Sequence, residues 1–313
     1  MLLGAALFAD KRLSADGTVS CASCHMADRA FGDGKPVSEG IKQQASTRNA
    51  PSLLNVGYHT SFFWDGRRAS LEDQVLDPLL SPVEHGLRDL EQVIEIVSSD
   101  ERYARGFEIA LLNEGVAERG IRIALATFVR SLDPGPSRLD RYLSGSDKSL
   151  LSEPERRGME LFKGRAGCAT CHTMQPATPS FTDNDFHALN VGTPMSASLA
   201  SSVARSLAAP PSTREALIGS DRALAALGRF NVTQRLRDIG KYRTPSLRNV
   251  AITAPYMHDG SVATLDEAVE LEIYYRSATQ TRPLILTAQE RRDLVSFLKA
   301  LTAESLEKVQ GTQ

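Results

Sequence analysis

Two copies of one short motif contain every cysteine of this 313-residue chain. The motifs are Cys-Ala-Ser-Cys-His at residues 21–25 and Cys-Ala-Thr-Cys-His at residues 168–172. This spacing is typical of c-type haem attachment, in which two thiols reach the two vinyl groups of one porphyrin and the histidine is placed under the iron. The sequence therefore predicts two covalent haem c groups, one bound by Cys21, Cys24 and His25, the other by Cys168, Cys171 and His172.

Two other interpretations of the cysteines are less consistent with the pattern. A zinc site could combine four thiolates, or two thiolates with two imidazoles, but these two pairs lie far apart in the chain. A thioredoxin-type redox motif is expected once, near a βαβ pattern, and does not need the histidine that follows each pair.

Composition excludes several classes of protein. The chain is 42% hydrophobic and 24% charged with a formal charge of −2, so it can bury a core and lacks the basic excess of nucleic-acid-binding proteins. No run approaches the roughly 18 apolar residues of a membrane span. The length corresponds to about two domains at roughly 150 residues each.

Haem attachment also predicts where the protein works. Covalent c-type haem is formed outside the cytoplasm, so we expect a periplasmic protein. Residues 1–10 have no basic region and only a very short apolar run, which is not a convincing signal peptide. We expect that the signal was trimmed, or missed when this start was chosen.

Several segments repeat in the same order, which predicts two homologous haem domains. Leu-Phe at residues 7–8 recurs at 161–162, Pro-Ser-Leu at 51–53 recurs at 245–247, and residues 64–75 resemble residues 258–269. We place the domains at residues 1–140 and 141–313, with the boundary in the turn-rich stretch 133–152. The expected fold class is mostly α, two cytochrome c-like haem domains related by an internal repeat.

Helix signals support this class. Capping boxes at residues 152–155 and 287–290 predict two helix starts, with Gly164 ending the first helix. Apolar residues at helical spacing predict two core stripes, which are Ile121, Leu125, Phe128 and Leu132, and Leu294, Phe297, Leu298 and Leu301. Residues 174–240 are expected to form loops and short helices over the second haem.

With these residues in view, the chain resembles the bacterial di-haem cytochrome c peroxidase and MauG superfamily. The resemblance covers nearly the whole chain and rests on residues 7–8, 21–25, 31–34, 48–51, 63–67, 82–84, 186–187, 245–250 and 255–260. It implies that the N-terminal haem reacts with hydrogen peroxide and that the C-terminal haem transfers electrons. It also implies a bridging tryptophan (Trp64), a distal pair (Gln74 and Glu84) and a calcium ion held by Asn49, Thr253 and Pro255.

The chain departs from the activated peroxidases of this family at the first haem. Those proteins carry a distal histidine in the loop before Arg-Asn-Ala-Pro, but residues 37–46 contain none, and Ile41 stands about where the ligand would be. His59 and His85 lie outside that loop and are expected at the surface or in supporting positions. We therefore expect a five-coordinate first haem that needs no prior reduction, as in MauG-like members.

The second haem's far ligand is methionine in the peroxidases and tyrosine in MauG-like proteins. The family's Tyr-x-Arg spacing selects Tyr274, although counting forward from His258 reaches Glu272 and requires a local shift. Tyr275 and Met257 remain alternatives. His187 and His258 are expected near the haem propionates or the seam between domains, rather than on iron.

Three functions remain open at this point. The first is a MauG-type enzyme that uses hydrogen peroxide to oxidise a side chain of a partner protein. The second is a cytochrome c peroxidase that takes electrons from a small cytochrome or cupredoxin. The third is a di-haem electron carrier, which would not need Gln74 or Glu84 beside an open iron. None of the three involves nucleic acid or a membrane span.

Overall fold

The computed structural model describes residues 1–111, 116–145, 147–174, 180–189, 191–192, 196–279 and 283–306. Most of this chain is helical, which confirms the mostly α class. Within these ranges, sheet is limited to two short strands, Phe186–Ala188 (β1) and Lys241–Arg243 (β2), which pair antiparallel. No helix in the described ranges is long and apolar enough to cross a membrane.

The helices of the first part are short near the first motif and longer beyond it. They are α1 (Leu2–Ala9), α2 (Cys21–Cys24), α3 (Leu71–Gln74), α4 (Asp77–Leu80), α5 (Leu90–Ser98), α6 (Glu101–Leu111) and α7 (Glu118–Arg130). The first predicted core stripe lies on α7, where Ile121 and Leu125 are almost fully buried, and it ends at buried Leu132.

The second part begins after residue 137. Its helices are α8 (Arg138–Leu143), α9 (Glu153–Lys163), α10 (Ser196–Ala208), α11 (Pro211–Ser220), α12 (Arg222–Ala225), α13 (Phe230–Thr233), α14 (Leu265–Thr279) and α15 (Ala288–Lys299). Both predicted capping boxes are confirmed, at the starts of α9 and α15, and Gly164 caps the end of α9. The second predicted core stripe is buried on and just after α15.

Two apolar cores organise these helices. One core draws on residues 7–129 and the other on residues 139–301. In each core an early helix packs against a later one, α1 on α7 and α9 on α15. A glycine permits each close approach, because a Cβ on Gly4 would lie 2.0 Å from the carbonyl oxygen of Ala124, and one on Gly158 would lie 2.0 Å from that of Asp293.

Residues 55–68 and 249–262 show the same backbone features in the same order. Each segment begins with an asparagine whose backbone lies in the left-handed region and continues as a 3₁₀ turn. It then forms an isolated antiparallel bridge that encloses a second residue with positive φ. The corresponding pairs are Asn55 and Asn249, Val56–Tyr58 and Val250–Ile252, the bridges Phe62↔Arg68 and Tyr256↔Val262, and Phe63 and Met257.

The segment between the second motif and β2 differs from the expectation for residues 174–240. Its described part contains α10 and α11, and it packs on the first part of the chain instead of covering the second haem motif alone. Thr47 donates to the carbonyl oxygen of Ile218 at 2.5 Å, and Arg68 forms an ion pair with Glu215 at 2.7 Å. These polar contacts attach α11 to the first part of the chain, which the sequence did not predict.

Candidate functional site

Both Cys-x-x-Cys-His motifs open into one cavity. Its lining includes two thiols and one imidazole from each motif, namely Cys21, Cys24, His25, Cys168, Cys171 and His172. The first motif is held by α2, where Ser20 and Ser23 form a capping box, and the second by a 3₁₀ turn that follows left-handed Gly167. The two motifs predicted from sequence therefore face a common interior space.

The two motif histidines have matching hydrogen bonds. His25 Nδ1 lies 2.9 Å from the carbonyl oxygen of Phe31, and His172 Nδ1 lies 2.9 Å from that of Phe181. A carbonyl oxygen can only accept, so Nδ1 carries the proton in each ring and the lone pair is on Nε2. Burial also lowers the pKa of both histidines and favours the neutral form. This is the state in which imidazole binds a metal.

Two arginines, the buried Arg243 and the half-buried Arg48, add positive charge to the same cavity. In the described part of the chain neither Arg48 nor Arg243 has a carboxylate partner, and Arg48 Nη1 and Arg243 Nε lack any hydrogen-bond partner. Arg243 is only 7% exposed, and burial lowers its pKa to about 10. Unpaired buried cations are costly, so these two side chains suit a group that brings its own carboxylates, as the propionates of haem do.

Histidines outside the motifs also reach this cavity. His59 and His258 both line it, and burial lowers the pKa of each to about 3. His258 stacks on Tyr242 with ring centroids 3.7 Å apart. His187 lines the cavity too, with Nε2 2.8 Å from Asp183 Oδ2. Cys171 Sγ lies within 4.8 Å of these two ligand atoms, but the predicted haem attachment already uses this thiol.

Both residues of the distal pair implied by the family line the cavity, and Glu84 is close enough to Cys21 and Cys24 for its charge to act on them. Gln74 from the end of α3 and Glu84 from the turn after α4 both line the cavity, together with Val75 and Pro78. Burial raises the pKa of Glu84, with Asp77 adding to the rise, while Arg67 and a hydrogen bond from Ser81 oppose it. A buried carboxyl whose pKa is raised is better suited to accepting and returning a proton than an ordinary surface carboxylate.

The loop at residues 37–46 brings no ligand to the first motif. Its buried Ile41 does not line the cavity, and its N–H donates to the carbonyl oxygen of Glu84 at 2.9 Å. His85 was expected at the surface or in a supporting position, and the structure places it in the interior. It is 4% exposed, lines the cavity, and its Nδ1 lies 2.5 Å from the carbonyl oxygen of Leu13.

Trp64 connects segments from both parts of the chain. Its indole Nε1 donates to the carbonyl oxygen of Asn49 at 3.0 Å, and its own carbonyl oxygen accepts from the N–H of Arg243 at 2.8 Å. The residues expected to hold calcium, which are Asn49, Thr253 and Pro255, line the same cavity as Trp64. Trp64, the expected bridge, and the three expected calcium ligands thus all line one cavity.

The tyrosine expected on the second haem lies elsewhere. Six residues of α14 line the cavity at helical spacing, namely Leu265, Ala268, Val269, Glu272, Ile273 and Arg276. Tyr274 is not among them, and it is 67% exposed. Because α14 is continuous, the local shift that would bring Tyr274 inward is absent. In this structure Tyr274 therefore does not face the cavity, and Glu272 occupies the inward position.

Comparison with known proteins identifies the family. A family model described as di-haem cytochrome c peroxidase matches residues 1–148. Methylamine utilization protein MauG of Methylorubrum extorquens is 34% identical over 311 residues, covering 96% of this chain and 78% of that protein. This chain belongs to the di-haem cytochrome c peroxidase/MauG family.

Members of both functional types are similar to this di-haem protein. Cytochrome c551 peroxidase of Nitrosomonas europaea is 32% identical over 307 residues, covering 96% of this chain and 79% of that protein. A solved MauG-like protein associated with microbial copper homeostasis superposes with a TM-score of 0.79 at 35% identity, covering 97% of this chain and 89% of that one. Membership implies two covalent haem c groups, which agrees with the paired motifs.

Sequence reasoning missed several residues of the di-haem cavity. No charge pattern in the sequence marks Arg48 or Arg243 as a residue of the cavity. Glu272 was reached by counting from His258 and then set aside for the Tyr-x-Arg spacing. The helical spacing of residues 265, 268, 269 and 272 is the signal that would have selected it.

Proposed function

We propose that this di-haem protein reacts with hydrogen peroxide beside His25 and shares the oxidising equivalents with the second haem through Trp64. The observation that carries the proposal is the pocket beside the first motif, where Gln74 and a carboxyl with a raised pKa, Glu84, line the cavity. A simple electron carrier has no need of such a pair.

The residues of this pocket support the cleavage of peroxide. When bound, haem supplies the redox chemistry at iron, and the protein supplies orientation and proton transfer. Glu84 takes a proton from one peroxide oxygen and returns it to the leaving oxygen. Gln74 orients the peroxide by hydrogen bonds without changing its own charge. The neighbouring Arg67 opposes the rise in the pKa of this carboxyl.

We further propose a MauG-like outcome, in which the stored oxidising equivalents remove electrons from a side chain of a partner protein. The absence of histidine from residues 37–46 supports it, because an open first haem needs no reductive activation. The second candidate is a cytochrome c peroxidase that reduces hydrogen peroxide with electrons from a small cytochrome c or cupredoxin. Relatives named as peroxidases favour this candidate.

Three further features accompany the proposed function. The separate cores and the recurring backbone features support two homologous haem domains, residues 1–140 and 141–313. Asn49, Thr253 and Pro255 are proposed to hold calcium near Trp64. Because haem c is attached outside the cytoplasm, the protein is proposed to be periplasmic.

Low-temperature EPR of the oxidised protein tests the proposal. We expect one high-spin and one low-spin signal in the protein as isolated, both diminished by stoichiometric hydrogen peroxide without prior reduction. Two low-spin signals that change only after one-electron reduction would contradict the open first haem. Rapid steady-state oxidation of a reduced cytochrome c or cupredoxin would favour the peroxidase over the MauG-like outcome.

A further inference from the structure

We infer that the carboxylate of Glu272 is the second axial ligand of the C-terminal haem iron. An iron in a porphyrin has two axial positions, and the second motif assigns one of them to His172. The inference depends on haem attachment at residues 168–172 and not on the reaction with peroxide.

The geometry of α14 selects Glu272. An α-helix has 3.6 residues per turn, so residues 265, 268, 269, 272, 273 and 276 share one face. All six line the haem cavity. Tyr274 is two positions from Glu272, about 200° around the helix, and its side chain is 67% exposed. Of the cavity-lining residues of this helix, Glu272 alone carries an oxygen ligand.

The carboxylate is held near the second motif. It is close enough to His172 and Cys168 for its charge to act on both. Arg276 Nε lies 3.4 Å from Glu272 Oε2, and Arg276 Nη1 donates to the carbonyl oxygen of Gly167 at 2.8 Å. Arg276 therefore connects the residue before Cys168 to the carboxylate and helps to hold Glu272 in place.

The first part of the chain provides an internal comparison. In the repeated segments Gln74, Val75 and Pro78 correspond to Ala268, Val269 and Glu272, and all six line the cavity. Proline has no side-chain donor atom, so the position beside the first motif cannot ligate iron. The same position beside the second motif carries a carboxylate. The first haem iron is thereby left without a second protein ligand, whereas the second haem iron has one.

The experiment uses the ferric protein with both haems attached and no peroxide. The second haem is followed by EPR, near-infrared magnetic circular dichroism and its midpoint potential, in wild type and in Glu272→Gln and Glu272→Met. We expect Glu272→Gln to change the ligand-field spectrum of one haem and to raise its midpoint potential, because an anionic ligand is lost. Glu272→Met should introduce the near-infrared band of thioether ligation.

Matched controls are Tyr274→Phe and Met257→Leu, and we expect neither to alter the second haem's spectrum. The inference is overturned if Tyr274→Phe changes that spectrum, if Met257→Leu removes a thioether band from the wild type, or if Glu272→Gln shifts only the potential. Haem content measured per chain separates the outcomes. A chain that carries one haem would refute the di-haem function itself, whereas two haems with an unaltered Glu272→Gln spectrum would refute only this assignment.

Discussion

The two haem motifs are built alike, but the residues that face them differ. Each motif histidine is fixed through Nδ1 by a backbone carbonyl, of Phe31 in one case and Phe181 in the other. Beside the first motif the cavity has Gln74, Pro78 and Glu84, which can hold a proton and a small polar ligand. Beside the second motif α14 presents Ala268 and Glu272. The two motifs are therefore alike in how each histidine is held and differ in the side chains that face the haem site.

Removing the carboxyl of Glu84 is the most severe test of this contrast. We expect Glu84→Gln to retain both haems and to slow the reaction with peroxide by about 100- to 10,000-fold, the range for loss of a general acid–base group. Stopped-flow absorbance measures the rate constant. Glu91→Gln, an exposed glutamate on α5, is the control. An undiminished rate in Glu84→Gln would remove the proposed distinction between the two sites.

The pH profile of the same reaction follows from the pKa of Glu84. Burial raises this pKa, and the form that accepts a proton is the carboxylate. The rate should therefore rise with pH through the raised pKa and become constant above it. In Glu84→Gln the rate should no longer rise with pH in this range. If the rise is unchanged in this variant, a group other than Glu84 is responsible for it.

The close contacts of α1 with α7 and of α9 with α15 test whether overpacking destabilises the two cores equally. A methyl group added at Gly4 or Gly158 would strike a backbone carbonyl in α7 or α15. We expect Gly4→Ala and Gly158→Ala each to lower the free energy of unfolding by about 1–3 kcal/mol, the usual cost of overpacking. Gly106→Ala in α6, where the added atom meets only the Leu3 side chain at 3.2 Å, should not show this loss in thermal unfolding.

The buried Arg243 allows a smaller electrostatic test. A unit charge about 10 Å from iron, at an effective dielectric constant of about 20, contributes about 1.7 kcal/mol, or about 70 mV for one electron. Arg243→Gln should therefore lower the midpoint potential of the nearer haem by an amount of this order. Spectroelectrochemical titration measures it, with exposed Arg235→Gln as the control. Equal potentials in both variants would place Arg243 away from the haems.

Trp64 tests the connection between the two sites. We expect Trp64→Phe to leave the first reaction with peroxide intact and to slow oxidation of the second haem by about tenfold, equivalent to about 1.4 kcal/mol of barrier. Rapid-mixing spectroscopy follows each haem separately. Tyr58→Phe, at an exposed aromatic residue nearby, controls for loss of an oxidisable ring. Unchanged transfer in Trp64→Phe would exclude the indole as the bridge.

Much of this organisation could be predicted from the sequence, because some constraints are local. Capping boxes, apolar stripes and the motif spacing each act within about ten residues, and the structure agrees with the first two on α7, α9 and α15. The position of α10 and α11 depends on long-range pairs such as Thr47 with Ile218, which no local pattern encodes. The burial of Arg243 is likewise set by segments distant in sequence.

The Tyr-x-Arg spacing and the helical period of α14 select different residues, Tyr274 and Glu272. The Tyr-x-Arg spacing was given more weight than the helical period, although Glu272 and Arg276 lie one turn apart on the cavity face of α14. A two-residue shift within a continuous helix moves a side chain from the interior to solvent. The helical period is the firmer guide wherever an uninterrupted helix borders a ligand cavity.

The hydrogen bond of Trp64 has a consequence for how charge crosses the molecule. Its acceptor is the amide carbonyl of Asn49, and an amide oxygen is too weak a base to remove the indole proton. An electron lost from this ring would leave a cationic radical that keeps its N–H. Charge transfer through it would then need no proton movement, and its rate should show neither a solvent isotope effect nor a dependence on buffer.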